Sequence, residues 1–367
     1  MKNDNIYKSI LMVALLTCLS LQGIRQNKGV KSGQDKGLKD YYAKYFPIGV
    51  AVSPRILKGD EANLIFSQFN SVTAENAMKM GPIHPKENEY NWGNADSIVA
   101  FAMRNGLKVR GHCLCWHEQA PSWFFTDIEG NAVSKEVLMK RLKDHITTVV
   151  SRYKGKIYAW DVLNEAVDDN PANLLRNTEF LKICGEEYIS KVFEWAHEAD
   201  PDALLFYNDY NTERPEKADR IYTLLKKLKD AGVPVNGMGL QGHWSIYEPS
   251  RDQLEYAIKK FSSLGLQVQV TELDMSVYHW EKERRAKLPG EKDDLTPEME
   301  QKQVAQYKMV FDVFRKYKEA ITGVTFWNLS DRYTWLDRHP VMGRKNYPLL
   351  FDRELQPKKA FWEVVNF

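Results

Sequence analysis

Eight short apolar runs recur along the chain, and a helical period fills most of the gaps between them. The runs lie at residues 47–53, 71–78, 108–116, 157–164, 203–209, 237–244, 267–273 and 323–329. Continuous apolar runs of this length mark strands buried on both faces, which is the habit of parallel sheets. The clearest helix spans 134–153, with Leu138, Leu142, Ile146, Val149 and Tyr153 on one face. Ser134 suits its N-cap and Gly155 its end. A second runs over 213–228, with Ile221, Leu224, Leu225 and Leu228 inward and Gly232 beyond. Strand and helix repeated eight times predict an α/β fold of the (β/α)8 TIM-barrel type, closed so that no strand edge is left. An open doubly wound sheet is the rival; it would carry a Gly-rich phosphate turn after its first strand, and none is present. A length of 367 residues suits one such barrel, and a 43% hydrophobic content supplies its core.

The barrel is expected over 38–367, as a single domain. Ahead of it, Lys2 and Lys8 precede the apolar residues 10–16, and small and polar residues follow to Gly23. That pattern predicts a signal peptide over 1–23 and export of the mature chain, because the run is too short for a comfortable membrane span. Cys18 sits where a lipoprotein cysteine would, but Leu15 and Thr17 make a poor lipobox, so lipidation is not expected. Residues 24–37, rich in Gly, Lys, Gln and Ser, read as a flexible lead-in. Cys113, Cys115 and Cys184 are expected as small buried hydrophobes rather than a disulfide or zinc set. A formal net charge of +2 gives no reason to invoke nucleic acid or an anionic membrane. No protein partner is evident, and a monomer is expected. The 10 Trp and 18 Tyr are unusual and fit stacking on sugar rings as well as core filling.

In a barrel of this type the active site lies at the carboxyl ends of the strands, and there the polar residues gather. Strand two ends in Glu75, Asn76 and Lys79. Strand three ends in His112, Trp116 and Gln119, strand four in Asn164 and Glu165, and strand five in Asn208, Asp209 and Tyr210. Gln241 and His243 close strand six, Glu272 and Asp274 strand seven, and Trp327 strand eight. Strand alternation puts Glu272 with Asp274, Gln241 with His243, and His112 with Leu114 and Trp116 on common faces. Asn164 and Glu165 alternate, so both reach one ligand only if the strand is already turning there. Two carboxylates converging over one pocket are the parts needed to cleave a glycosidic bond. Glu165, beside Trp116 and Trp160, is the expected acid/base. Glu272, held ionised through His243, is the expected nucleophile. Their separation, about 5–5.5 Å for retention or 6.5–9.5 Å for inversion, is not encoded in any sequence pattern.

The strings TAENAMK, GHCLCWH, DVLNEA, NDYN, GLQGHW, TELD and FWNLSD with RYTW, in this order from about Tyr41 to the C-terminus, resemble glycoside hydrolase family 10, the retaining endo-1,4-β-xylanases. The resemblance implies a (β/α)8 barrel, with acid/base and nucleophile falling on Glu165 and Glu272. It implies that Asn164 bonds the sugar 2-hydroxyl, and that Lys79, His112, Trp116, Gln241 and His243 wall the same subsite. Glu75, Asn76 and Gln119 match the next sugar outward on the non-reducing side. Trp327 and Trp335 match an aromatic lid, Tyr210 a leaving-group-side platform, and Asp274 the partner that orients His243. Xylan and xylo-oligosaccharides are the implied substrates. No cofactor is expected, and because no divalent ligand set is visible near the site, activity is expected to need no metal; a structural calcium is a separate question. Cys113 and Cys115 depart from the Thr and Val of the family string, a conservative packing change.

Three rivals have their own signatures. A glucan-cleaving barrel shares the carboxylates and differs in the space under the lid. A non-hydrolytic sugar-binding barrel leaves Glu165 and Glu272 without a role. An aldolase-like barrel would use Lys79 as a Schiff base, against which the paired glutamates argue. The charge-rich stretch 281–298 is expected as a solvated loop and helix start near the cleft. Trp160 and Trp195 are expected in the core.

Overall fold

The computed structural model describes residues Lys36–Phe367; the expected signal peptide and all but the last two residues of the lead-in lie outside them. Lys36 and Gly37 belong to the folded unit, with Gly37 capping a short helix at Leu38–Tyr41. Eight barrel strands follow: β1 Ile48–Val52, β2 Ser71–Ala74, β3 Lys108–Trp116, β4 Ile157–Asn164, β5 Leu204–Asp209, β6 Gly237–Leu240, β7 Gln267–Ser276 and β8 Ile321–Phe326. Each pairs in parallel with its sequence neighbour, and β8 pairs with both β7 and β1, which closes the barrel.

The strands are largely buried: all five residues of β1 and all four of β2 are inaccessible or nearly so. Helices cover the outer face. The helix Lys135–Arg152 turns Leu138, Leu142, Ile146 and Val149 inward, and the Ser134 hydroxyl accepts from the Val137 amide as an N-cap. Pro215–Asp230 does the same with Ile221, Leu224, Leu225 and Leu228. Burying each such leucine or isoleucine contributes about 1.5–3 kcal/mol, so the two stripes fasten their helices firmly to the sheet. Trp160 is fully buried and Trp195 nearly so, as expected. Trp160 packs over Gly111 rather than beside Glu165.

Three expectations need correction. The second strand stops at Ala74, because Glu75–Lys79 turn across the barrel mouth instead of extending it. The sixth is broken: Gly242 takes a φ of 79°, and only a short extension, His243–Ser245, resumes beside β7. That break lets His243 pair with Asp274 while Gln241 faces Glu165. Strict alternation also fails on β3 and β4. Between His112 and Cys115, β3 advances three residues while β4 advances from Asp161 to Leu163. A bulge of this kind shifts which side chains face inward. His112, Leu114 and Trp116 therefore do not share a face: His112 contacts Asp161, Leu114 packs in the hydrophobic core, and Trp116 re-emerges at the mouth.

Candidate active site

The barrel interior below the mouth is polar, and its charged groups are paired. The Arg110 guanidinium holds Asp161 through both terminal nitrogens and donates from Nε to Gln269 at 2.9 Å. Arg110 and Asp161 are 1% and 0% exposed. His112 Nδ1 lies 2.9 Å from Asp161 Oδ2 and 3.8 Å from Glu272 Oε1. This layer places the Arg110–Asp161 pair and the His112 ring beneath the carboxylate of Glu272 on β7.

Asn208, at the end of β5, is the hub of the next layer. Its Nδ2 donates to Asn164 Oδ1 at 2.9 Å and to Glu272 Oε1 at 2.8 Å, while its Oδ1 accepts from the Thr271 hydroxyl at 2.6 Å. All of its amide capacity points inward because Gly239 stands opposite, where a Cβ would come within 2.3 Å of Asn208 Oδ1. An asparagine ending a strand reads as a turn residue, so sequence reasoning gave it no role. Arg110, Asp161 and Gln269 were also missed, since charged residues inside buried strands look like errors until their partners are known.

Glu272 is 5% exposed. Besides Asn208 it accepts from His243 Nε2 at 3.2 Å, and His243 Nδ1 donates to Asp274 Oδ2 at 2.9 Å. The same Asp274 oxygen accepts from the Trp335 indole at 2.7 Å. Burial alone would push Glu272 toward its neutral form. The charge of His112, the bond from His243 and the charges of His243 and Lys79 outweigh it and hold the carboxyl at about 2. Burial also opposes a charge on His243, but Asp274 and Glu272 lift it to about 10, so it is an imidazolium donating from both nitrogens.

Glu165 is the opposite case. It follows the last residue of β4 at a φ of 58°, which turns its side chain back over the mouth beside Asn164. This is the turning strand that both residues require. Oε1 accepts from Gln241 at 2.9 Å and Asn164 at 3.1 Å, and Oε2 accepts from the Trp116 indole at 2.9 Å. Burial and the charge of Asp209, with a smaller share from Glu272, outweigh these bonds and lift Glu165 to about 7. Asp209 is itself buried, paired with Lys217 at 3.0 Å and bonded by the Tyr207 hydroxyl. The two glutamates, joined through Asn164 and Asn208, therefore sit in oppositely biased surroundings: one keeps a proton near neutrality and the other does not.

The remaining expected residues surround this pair. Lys79 is 7% exposed, donates to Asn76 Oδ1 at 3.0 Å, and lies over the rings of Trp116 and Trp327 at 5.1 and 5.8 Å. Trp327 meets His112 edge-on at 5.2 Å. Trp335 tilts against His243 at 4.9 Å. The Tyr210 hydroxyl joins Arg176 and Asp169, and Lys217 lies 4.1 Å from its ring. Glu75 lines a crevice with Ser53, Arg55, Glu61, Asn328 and Tyr333. The hydrogen bonds that unite the cluster do not extend to Glu75 or Gln119. The stretch from Glu281 is more ordered than a solvated loop: Arg285 and Arg344 clasp Glu281 and Glu291, and Arg285–Ala286 pair with Val341–Met342. Cys113, Cys115 and Cys184 are buried and unpaired.

Among the described residues, His117, Glu118 and Glu165 bring three possible metal ligands within 4.8 Å of one another. A cation there would hold Glu165 ionised, against the bias of its surroundings.

Comparison with known proteins agrees with this geometry. The chain is 50% identical over 368 residues to a beta-1,4-xylanase of Dictyoglomus thermophilum, covering 100% of both chains. It is 50% identical over 324 residues to endo-1,4-beta-xylanase B of Paenibacillus barcinonensis, covering 88% of this chain and 96% of the relative. The crystal structure of xylanase XynB from Paenibacillus barcinonensis, complexed with a conduramine derivative, superposes with a TM-score of 0.87 at 49% identity, covering 91% of this chain and 99% of that one. A mutant structure in complex with xylotriose superposes with the same TM-score at 43% identity, covering 90% and 99%. The family model for glycosyl hydrolase family 10 matches residues 37–367, and the chain belongs to that family.

Proposed function

We propose that the protein is a retaining endo-1,4-β-xylanase in which Glu272 is the nucleophile and Glu165 the acid/base. The observation that carries the assignment is the opposed bias of the two buried carboxyls, about 2 for Glu272 and about 7 for Glu165. Breaking an acetal needs one carboxyl bare and one protonated at the working pH. Glu272 attacks the anomeric carbon while Glu165 gives its proton to the departing oxygen, leaving a xylosyl ester on Glu272. Esterification neutralises Glu272 and so removes one of the charges that raise Glu165. Glu165 then gives up protons more readily and serves as the base that draws one from the attacking water. Asn164, held by Asn208 and bonded to Glu165, is placed to meet the sugar 2-hydroxyl, a bond that strengthens in the transition state.

Xylan and xylo-oligosaccharides are the substrates that the named relatives and the xylotriose complex support. Xylose lacks the hydroxymethyl group of glucose, and we assign its selection to Trp327 and Trp335 lying close over the ring as a lid. Lys79, His112, Trp116, Gln241 and His243 wall the same sugar, Glu75, Asn76 and Gln119 receive the next one outward, and Tyr210 supports the leaving side. The barrel acts as a single catalytic domain and as a monomer. Lys2, Lys8 and the apolar residues 10–16 support export of the mature enzyme.

Proton NMR of the products is the test. First-formed β-anomers from xylan, with much slower cleavage of carboxymethylcellulose, are expected. First-formed α-anomers would overturn the mechanism, and faster cellulose cleavage would overturn the substrate.

A further inference from the structure

From Glu272, a file of rings runs outward to solvent. His243 donates to Glu272. Trp335 leans on His243 at 4.9 Å and 60°. His339 stacks on Trp335 at 5.0 Å and 22°. Trp280, 47% exposed, tilts against His339 at 5.5 Å and 44°. The file is also tied by a polar link, because Trp335 and His243 donate to the same oxygen of Asp274.

We infer that His339 is a positioning residue that sets the height of the Trp335 lid, and through it the preference for pentose over hexose. The inference rests on the reading of Trp335 as the lid over the sugar at the cleavage point. Three contacts hold the indole: the bond from its N–H to Asp274 fixes one edge, the tilted His243 ring meets it on the side of the catalytic carboxylates, and the stacked His339 imidazole bears on a face. Of the three only the His339 stack lies close to parallel with the indole plane, so it is the contact that resists rocking of that plane and decides how close the ring comes to the sugar. His339 is half-buried, and no protein group among the described residues bonds its ring nitrogens, so it acts through its flat face. Burial, with the charges of Arg284 and His243, keeps the ring below its ordinary pKa, at about 4. The imidazole is therefore neutral through the working range and does not repel the His243 imidazolium. Trp280 shields it from outside and limits its own freedom to swing away.

The role predicts a specificity change that a general loss of stability would not produce. An aromatic stack of this kind is worth about 0.5–1.5 kcal/mol, and about 1.4 kcal/mol is tenfold in rate. His339→Ala should therefore lower kcat/KM on an aryl β-xylobioside by about two- to twelvefold. On the matching aryl β-cellobioside it should leave kcat/KM unchanged or raise it, because the loosened lid admits the hydroxymethyl group. His339→Phe keeps a flat ring in place and should restore the selectivity ratio to within about twofold of wild type. An unchanged ratio in His339→Ala, whatever the absolute rates, would overturn the inference, as would failure of His339→Phe to recover it. A wild-type enzyme that prefers the cellobioside would instead overturn the xylan reading on which the inference stands.

Discussion

Replacing Trp116 by phenylalanine isolates one of the forces that set the proton on Glu165. The indole N–H donates to Glu165 Oε2 at 2.9 Å, whereas Oε1 keeps its bonds from Gln241 and Asn164. The phenyl ring keeps an aromatic wall near Lys79 and removes the donor along with part of the ring area. A donor stabilises the carboxylate more than the acid, so its loss must raise the pKa of Glu165. Hydrogen bonds to charged groups contribute about 1.5–3 kcal/mol. The lower end applies here, because Trp116 is partly exposed and water can partly replace the indole. At about 1.4 kcal/mol per pKa unit, the shift is about one unit upward. The alkaline limb of kcat/KM reports this group in the free enzyme, and with Glu165 raised to about 7 the limb is expected there in the unaltered protein. The assay is the pH dependence of kcat/KM on an aryl xylobioside. Weaker sugar binding by the Trp116→Phe variant lowers the whole curve but does not move its limb, so the two effects separate. An unmoved limb, or one displaced to lower pH, would refute this account of how Glu165 keeps its proton.

Other perturbations test the remaining groups. Glu165→Ala should cost about 10²–10⁴-fold on xylan, where the leaving oxygen needs a proton, and far less on a dinitrophenyl xylobioside; equal losses on both would remove its acid role. Glu272→Ala should reduce turnover on the order of 10⁵-fold or more with xylo-oligosaccharide binding by calorimetry largely kept; substantial residual hydrolysis would remove its role. A different kind of test concerns His145, fully buried with Nδ1 3.0 Å from His84 Nδ1. Burial and the neighbouring His84 lower it from 6.5 to about 3. The unfolded chain takes up its proton below 6.5 while the folded one does not, so this contribution is complete above 6.5 and is lost progressively as pH falls toward 3. Between about pH 6.5 and 5, wild type should lose about 2 kcal/mol relative to His145→Gln in urea titrations; a pH-independent difference would contradict it.

The barrel was legible because buried parallel strands are written as apolar runs, and β3 and β4 matched their expected limits to the residue. The strand limits failed where apolar composition and backbone path diverge. Ala77 and Met78 are buried residues in turns, and Gly242 breaks a run that otherwise reads as strand. Both glutamates could be found from strand-end chemistry, but the devices that bias them could not. The bulges on β3 and β4, the left-handed turn at Glu165 and the space Gly239 leaves for Asn208 are three-dimensional facts with no local pattern. Arg110 and Asp161 lie 51 positions apart, so only the closed barrel brings them together beneath Glu272. His145 occupies a helical position that propensity treats as an ordinary surface or core residue, and its partner His84 lies in a separate loop.

Double displacement through Glu272 can be observed by trapping the ester. A 2-deoxy-2-fluoro xylobioside with a good leaving group slows the breakdown of the glycosyl intermediate more than its formation is prevented. Mass spectrometry of the protease-digested enzyme should then show one added glycosyl unit on the peptide containing Glu272. A label on another residue, or an unlabelled enzyme that nevertheless cleaves xylan with inversion, would contradict the account.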